Sequence, residues 1–198
     1  TLPSILNQSY KDYEIICIND GSNDKSLEIL MEYAGNNENM RVYSQWNSGA
    51  AKARNRGLAL ARGKYVIFLD ANDYFEPDLL EIMYNKAVAT DSDICICNCV
   101  FNRNNFPPFY DFSIVYELLP DIDPFSRKDC QYILNITRAE VWDKLYKKEF
   151  LLKHNIKFQN LKNANDVYFV FMSLALADKI TTVGEHLVHY YFQRDTSI

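Results

Sequence analysis

The chain has 198 residues, of which 48% are hydrophobic, with a formal net charge of −5 and a pI near 5.2. This length supports one substantial hydrophobic core, and the acidic balance argues against a general nucleic-acid-binding protein, whose binding face would be basic. The longest strongly apolar segment, residues 167–177, falls short of the roughly 20 residues that span a membrane, and the first residues lack the pattern of a secretory signal.

Strands and helices alternate over the first hundred residues, after a short helical pattern at residues 2–6. Hydrophobic periodicity predicts strands at residues 13–18, 41–45, 65–69 and 93–100, and helices at residues 27–34, 47–61 and 77–89. Gly63 is predicted to cap the C-terminal end of the second of these helices. Such alternation is typical of right-handed β-α-β units, so we predict an α/β fold with three layers, α/β/α, and a mostly parallel central sheet.

The alternation stops after residue 100. Residues 101–124 are rich in Pro, Phe, Tyr and Asn without a clean period, and they predict a long excursion over the surface. Further helices are predicted at residues 142–154 and 165–177. Residues 181–193 are expected to form a terminal hairpin or a pair of short strands.

The cysteine pattern indicates buried, reduced thiols. Cys95, Cys97 and Cys99 alternate along a predicted strand, so their side chains share one face. The sequence contains no Cys-x-x-Cys pair and no histidine spacing that would suit zinc. Reduced thiols in turn favour a reducing compartment.

A cluster of oxygen-bearing side chains, Asp70, Asn72 and Asp73, follows the predicted strand at residues 65–69. In an open α/β sheet, ligands bind at the carboxyl ends of the strands. Carboxylate and amide oxygens suit a hard divalent cation, which completes its shell with water and substrate phosphates. An Asx-type turn before a helix explains the same residues equally well.

Three further residues are candidates for a site. Asp20 follows a predicted strand, where it could accept hydrogen bonds from a base or ribose or serve only as a turn residue. Arg54 lies on the sheet-facing side of its predicted helix, and a guanidinium there needs a carboxylate, from Asp70 or Asp20, or a phosphate. Asp166 opens an apolar helix, either as an N-cap or first-turn acid or as a general base.

Trp142 and Lys144 could shape a pocket. Core packing is the alternative for Trp142, because large aromatic side chains are more often buried than ligand-binding.

These stretches together resemble the family 2 glycosyltransferases with the GT-A fold. In chain order, the matching segments are Ser4-Ile-Leu-Asn-Gln-Ser-Tyr10, Ile18-Asn-Asp-Gly-Ser-Asn-Asp24, Asn47-Ser-Gly-Ala-Ala-Lys-Ala-Arg-Asn-Arg-Gly57, Tyr65-Val-Ile-Phe-Leu-Asp-Ala-Asn-Asp73, Trp142-Asp-Lys-Leu-Tyr146, Asn165-Asp166 and Tyr190-Tyr-Phe-Gln-Arg-Asp-Thr-Ser-Ile198. The resemblance covers nearly the whole chain outside residues 101–124.

The resemblance implies transfer of a sugar from a nucleotide diphosphate sugar, expected to be a UDP-sugar, to an acceptor hydroxyl with inversion. Asp166 would be the catalytic base. The implied substrate-binding residues are Asp20, Arg54, Asp70, Trp142 and Lys144. Residues 1–100 would form the nucleotide-sugar-binding part, and residues 101–198 the acceptor-side part of the same domain.

The resemblance also implies a divalent cation, Mg²⁺ or Mn²⁺, with Asn72 and Asp73 as its ligands. The position that is usually acidic in the family is Asn72 here, which removes one unit of negative charge, so we expect weaker metal binding or compensation by Asp73. The family's first strand does not precede Thr1, so a central strand of the sheet is expected to be missing from this chain.

The expected partners are the nucleotide sugar and a saccharide or lipid-linked acceptor, without nucleic acid, and the expected role is surface polysaccharide synthesis in the cytoplasm. Location at the inner face of the membrane, through peripheral association, is an open alternative. A second hypothesis is an inactive or nucleotide-sugar-binding relative. A third hypothesis is a nucleotidyltransferase, but that class of enzyme requires a glycine-rich, basic phosphate-binding loop, which the sequence lacks.

Overall fold

The computed structural model describes residues 1–103, 106–161 and 164–192. Residues 193–198, which carry most of the closing segment of the family resemblance, lie outside this part. The helices are α1 (Leu2–Leu6), α2 (Ser26–Gly35), α3 (Ala50–Leu60), α4 (Leu79–Thr90), α5 (Ile133–Ile136), α6 (Lys148–Lys153) and α7 (Asn165–Leu176). The strands are β1 (Ile15–Asp20), β2 (Met40–Gln45), β3 (Tyr65–Ile67), β4 (Tyr74–Phe75), β5 (Ile94–Arg103), β6 (Phe109–Asp111), β7 (Lys144–Lys147) and β8 (Ile180–Phe192).

Strands β1 and β2 form a parallel pair, with Ile15 opposite Met40, and α3 packs on β1. Gly57 of this helix faces β1, and an added Cβ there would make an ordinary van der Waals contact with the Ile18 side chain, at 3.8 Å. The predicted cap at Gly63 is wrong, because α3 ends with Ala61 in an extended conformation. The amides of Arg62 and Gly63 instead donate to the Glu14 carboxylate at 2.5 and 3.1 Å.

The second sheet has the strand order β3-β7-β5-β8-β4, with β6 paired to β5. Strands β5 and β8 are parallel, whereas β3–β7, β5–β7, β5–β6 and β4–β8 are antiparallel. The α/β class is confirmed, but the sheet is mixed where we expected mostly parallel pairing. Because β7 lies antiparallel between β3 and β5, these two strands run in the same direction, and their C-terminal ends meet at one edge with that of β8.

The reversal at β7 explains an error in the sequence interpretation, which placed a helix at residues 142–154. Leu145 and Tyr146 point to opposite faces of the sheet, each into a different hydrophobic cluster. The helix, α6, begins only at Lys148. A four-residue strand next to a helix is too short for its period of two to stand out. The predicted terminal hairpin is likewise one strand, β8.

The core consists of one hydrophobic cluster on each face of this sheet. Ile94 and Ile96 of β5 face the cluster that contains α7, whereas Cys95, Cys97 and Cys99 face the cluster that contains α4. The three thiols are free and fully buried, and burial raises the pKa of Cys95 to about 12. The prediction of one face of buried thiols is confirmed.

The expected surface excursion is partly regular. Strand β5 continues to Arg103, and β6 returns beside it. We call residues 101–103 and 106–112 the aromatic hairpin. Four of its side chains are more than half exposed: Phe106, Phe109, Tyr110 and Phe112. No helix within the described ranges has the length and apolar character needed to cross a bilayer.

Candidate functional site

Helix α3 connects three polar groups that are far apart in the sequence: Asp20, Asp70 and Asn165. Its first turn lies against Asp20, because the amide of Gly49, just before the helix, donates to that carboxylate at 2.8 Å. One turn further along, Arg54 donates to Asp70 after β3 and to Asn165 at the start of α7, each at 2.8 Å. The side chains therefore share one edge of the fold, close to the ends of β1 and β3.

Asp20 is held as a carboxylate by three donors. Its oxygens accept hydrogen bonds from the Gln45 side chain and from the amides of Ser48 and Gly49, all within 2.9 Å. Partial burial raises the pKa of Asp20, but these hydrogen bonds outweigh it, and the pKa lies below its usual value. The turn role is therefore present in the structure, and contact with a nucleotide base stays a prediction.

Gly21, next to Asp20, holds this turn in a conformation that other residues rarely adopt. Its φ is +73°, and an added Cβ would lie 2.7 Å from the backbone nitrogen of Asn47. We expect Gly21→Ala to lower the free energy of unfolding by roughly 1–3 kcal/mol, because both the dihedral angle and the contact are strained. Gly35→Ala is the control, since nothing lies within 4 Å there; this helical position should be stabilised by about 0.5–1 kcal/mol. Urea unfolding of both variants checks the prediction, and equal stabilities would contradict it.

Arg54 satisfies the requirement of a semi-buried guanidinium for a carboxylate. The expected pairing with Asp70 is confirmed, while Asp20, the alternative partner, is engaged elsewhere. The guanidinium also lies 5.4 Å above the centre of the Phe158 ring. The Asn165 contact was not foreseen, and its only signal in the sequence was its position beside Asp166.

The two predicted metal ligands differ in exposure. Asn72 is exposed, and its side-chain nitrogen lies 3.5 Å from the carbonyl oxygen of Tyr191. Asp73 is 1% exposed; its Oδ1 accepts a hydrogen bond from the Tyr191 amide at 3.1 Å. Its Oδ2 is buried without a hydrogen-bond partner among the described residues. An orphaned carboxylate oxygen beside Asp70 is chemically suited to a cation, so the donor set fits a hard metal ion.

Burial raises the pKa of Asp73 to about 7; the Tyr191 hydrogen bond opposes this rise, and the negative charge of Asp70 adds to it. The folded state therefore holds a proton that the unfolded chain releases near its ordinary pKa of 3.8. We expect stability to fall as the pH rises from about 4 to about 7 and to level off above, by at most about 1.4 kcal/mol per unit of pKa difference.

Asp73→Asn removes this titration and should be more stable than the parent at pH 8 but not at pH 4. Urea midpoints of the two proteins across this range test the prediction. If the difference in urea midpoint between the parent and the variant did not change with pH, the prediction would be contradicted.

Asp166 lies in the first turn of α7 and is half-buried. The N-cap position belongs to Ala164, in the left-handed region at φ 54°, and no side chain caps the helix. The N-cap interpretation of Asp166 is therefore wrong, which leaves the first-turn acid and the general base. Asp166 directly follows Asn165, which is hydrogen-bonded to Arg54, so it lies at the same edge of the fold.

Trp142 and Lys144 are buried beneath this edge. Trp142 stacks on Tyr190 with ring centroids 5.6 Å apart, inside the cluster that contains α4. Lys144 is fully buried, and its Nζ donates to the Asp143 carboxylate at 2.6 Å and to the Glu140 carbonyl at 2.7 Å. Their predicted roles in substrate binding stay predictions, with core packing observed for Trp142.

The site lies at one edge of the α/β fold, where the ends of β1 and β3, the hydrogen-bonded Arg54 and residues 70–73, which we call the acidic loop, come together. This is the arrangement of a GT-A nucleotide-sugar transferase. A model of glycosyl transferase family 2 matches residues 1–154, and the chain belongs to this family.

Two of the relatives that this chain resembles have names that state an activity. The chain is 35% identical to the cholesterol galactosyltransferase of Borreliella burgdorferi, over 96% of this chain and 54% of that protein. It is 32% identical to the poly(ribitol-phosphate) beta-glucosyltransferase of Bacillus spizizenii, over 98% of this chain and 30% of that protein. The chain thus spans about half or less of the length of these two relatives.

Crystal structures of S. aureus TarS 1–349 share the fold. The complex with UDP-GlcNAc has a TM-score of 0.80 at 21% identity, covering 98% of this chain and 54% of that one. The complex with UDP has a TM-score of 0.79 at 22% identity, with coverages of 96% and 55%. This likeness confirms the expected GT-A fold.

Proposed function

We propose that this chain forms the donor-binding and catalytic part of an inverting glycosyltransferase, which moves a sugar from a UDP-sugar to an acceptor hydroxyl during surface polysaccharide synthesis. The observation that carries this proposal is the α3 bridge, in which Arg54 joins the acidic loop to the start of α7 beside the Asp20 turn. The relatives named for galactosyl and glucosyl transfer, and the UDP complexes of TarS, support it.

The donor would lie along this bridge. A carboxylate has about four acceptor sites, and Asp20 uses three, so one remains for the nucleotide. A guanidinium has five N–H donors, of which Arg54 directs only some to Asp70 and Asn165. The remaining donors could bind a phosphate oxygen of the diphosphate.

We further propose that Mg²⁺ or Mn²⁺ binds at Asn72 and Asp73, and its charge would stabilise the departing diphosphate. Among the described residues, no group of three or more acidic, Cys or His side chains could hold a metal ion. Substrate phosphates would therefore supply much of its shell, as is usual for Mg²⁺. Asp73 would contribute its unpartnered Oδ2 and Asn72 its side-chain amide oxygen.

In the transfer step, a carboxylate oxygen of Asp166 takes the proton of the acceptor hydroxyl. The hydroxyl oxygen forms a bond to the anomeric carbon as the bond to the diphosphate oxygen breaks, with the electron pair leaving on the diphosphate. Attack opposite to the leaving group inverts the configuration. Asp166 suits this role because it is half-buried at the site edge and does not cap its helix.

The acceptor would approach along the aromatic hairpin, which continues from the C-terminal end of β5 at the same edge. Asn102 of β5 pairs with Tyr191 of β8, whose amide binds Asp73, so the hairpin begins one strand away from the acidic loop. Its exposed rings can contact a saccharide face or the apolar part of a lipid-linked acceptor. The reaction would take place in the cytoplasm, at the inner face of the membrane when the acceptor is lipid-linked.

This acceptor role predicts a selective kinetic effect. Phe109→Ser should raise the KM for the acceptor about tenfold, since one exposed ring contact is worth roughly 1–2 kcal/mol, and should leave the Kd for UDP unchanged. Leu152→Ser, at an exposed apolar position of α6, is the control. Loss of UDP affinity in Phe109→Ser, or an unchanged acceptor KM, would contradict the assignment.

The function itself is tested by titrating the full-length protein with UDP and Mn²⁺ in a calorimeter, alongside transfer and donor-hydrolysis assays. Binding that depends on Mn²⁺, together with turnover, is the expected result. The second candidate, an inactive nucleotide-sugar-binding relative, is favoured by the neutral Asn72 and by the burial of Asp73. UDP binding without any turnover would establish that candidate instead.

A further inference from the structure

The hydroxyl of Tyr146 is an unexplained polar atom in the core. The side chain is fully buried, and its oxygen has no hydrogen-bond partner among the described residues. Its ring packs edge-on against Phe68, at 6.2 Å between centroids, and Phe169, at 5.2 Å. An unpaired buried hydroxyl costs about 1–3 kcal/mol, so phenylalanine would serve the packing better. The hydroxyl therefore calls for another explanation.

The location of this hydroxyl connects it with the candidate site. Tyr146 belongs to β7, opposite Val66 of β3, and faces the hydrophobic cluster that contains α7. Phe169, whose ring contacts Tyr146, lies three residues after Asp166 on α7. Residues three apart are neighbours on a helix surface, so Asp166 lies one turn above this ring contact, towards the site edge.

Three charged groups act electrostatically on the hydroxyl. Burial raises the pKa of Tyr146 well above its usual value; the charges of Asp143 and Asp166 add to the rise, and that of Arg54 opposes it. The hydroxyl consequently remains protonated and is available only as a donor to an anion or as a weak acceptor.

Asp166 is the acceptor that this geometry favours. Arg54 cannot accept a proton, and its guanidinium is engaged with Asp70 and Asn165. Asp143 pairs with Lys144 through its Oδ1, and its Oδ2 is also buried without a hydrogen-bond partner among the described residues. Its charge, however, acts on Cys97, in the cluster on the face of the sheet opposite to Tyr146. The carboxylate of Asp166, by contrast, makes no hydrogen bond or ion pair with another side chain or amide in the described parts of the chain.

We propose that Tyr146 is a positioning residue for the base, whose hydroxyl donates to the Asp166 carboxylate once donor and acceptor occupy the cleft. This inference rests on the proposed function. A buried donor of this kind fixes the orientation of the carboxylate and leaves its other oxygen free for the acceptor proton. It also stabilises the charged form of Asp166.

The test compares Tyr146→Phe with the parent in the full-length protein. We expect kcat to fall about 10- to 100-fold, as for loss of a hydrogen bond to a charged group, and the acid limb of the kcat–pH profile to move to higher pH. The Kd for UDP should stay unchanged. Tyr116→Phe is the matched control, because Tyr116 is also largely buried and donates to the Val183 carbonyl at 2.7 Å, outside the site.

Several outcomes would overturn the proposal. A Tyr146→Phe protein with greater thermal stability and an unchanged kcat–pH profile would mark the hydroxyl as a packing defect. If Asp143→Asn lost as much activity as Tyr146→Phe, and the kcat–pH profile did not depend on Asp166, the hydroxyl would be assigned to Asp143 instead.

A measurement without turnover separates this proposal from the proposed function. The pKa of Asp166 can be followed by ¹³C NMR in the parent and in Tyr146→Phe, each saturated with UDP and acceptor. A higher pKa in the variant supports the hydrogen bond even if the parent shows no transfer. Equal pKa values would exclude the hydrogen bond, whatever the activity of the parent.

Discussion

Asp166→Asn is expected to abolish detectable sugar transfer, with kcat lowered by at least about 100-fold and the Kd for UDP within about threefold of the parent. The amide keeps the shape of the side chain but cannot take the acceptor proton. Donor affinity should persist because Arg54, Asp70 and Asp20 are untouched. Transfer kinetics and calorimetry of the same preparation provide the measurement.

Glu28→Gln is the matched control for this variant. Glu28 is also a first-turn acid, in α2, and it is exposed on a helix that packs against β1 and β2. Both substitutions remove a charge that favours a helix N-terminus, worth about 0.3–1 kcal/mol. If Asp166→Asn retained transfer and lost only that much stability, Asp166 would be an acid that stabilises its helix and nothing more.

Arg54→Ala is expected to weaken UDP binding about 10- to 100-fold and to lower the free energy of unfolding by about 1–3 kcal/mol. The loss has two parts, because the guanidinium both offers donors to the diphosphate and ties the Asp70 loop to Asn165. Arg54→Lys keeps the charge but not the fork geometry, so it should lie between the alanine variant and the parent.

Arg56→Ala is the control for Arg54→Ala, because it removes the same charge from α3 without removing the contacts of Arg54 with the diphosphate and with Asp70 and Asn165. Arg56 lies on the same helix but donates to the Ser44 carbonyl at 2.8 Å and to the Gln45 side chain, away from the acidic loop. Its removal should leave UDP affinity nearly unchanged. Equal losses in the two alanine variants would show that Arg54 acts only through the overall charge.

Several features of the fold could be predicted because they depend on local sequence. The alternation of Cys95, Cys97 and Cys99 on one face follows from the period of a strand, and the structure confirms it. The inward orientation of Arg54 follows from the period of α3. The sequence limited the expected carboxylate partner of Arg54 to Asp70 or Asp20, and only the distances in the folded chain show that the partner is Asp70.

Other features could not be predicted because they depend on contacts between distant segments. The antiparallel entry of β7 between β3 and β5 is set by pairing across the sheet, which no local pattern at residues 142–147 reveals. The burial of Asp73, with one oxygen on the Tyr191 amide and the other unpaired, likewise arises from the approach of β8.

Sequence by itself determined the family, the alternation of helices and strands, and the residues that carry oxygen and charge, because periodicity and ordered motifs are properties of neighbouring positions. Tertiary structure alone decided which distant groups meet: the Arg54 guanidinium with Asn165, and the Asp73 carboxylate with the Tyr191 amide. The physical reason is that hydrogen bonds and burial act over a few ångströms in space, and strand pairing brings together residues that lie about a hundred positions apart.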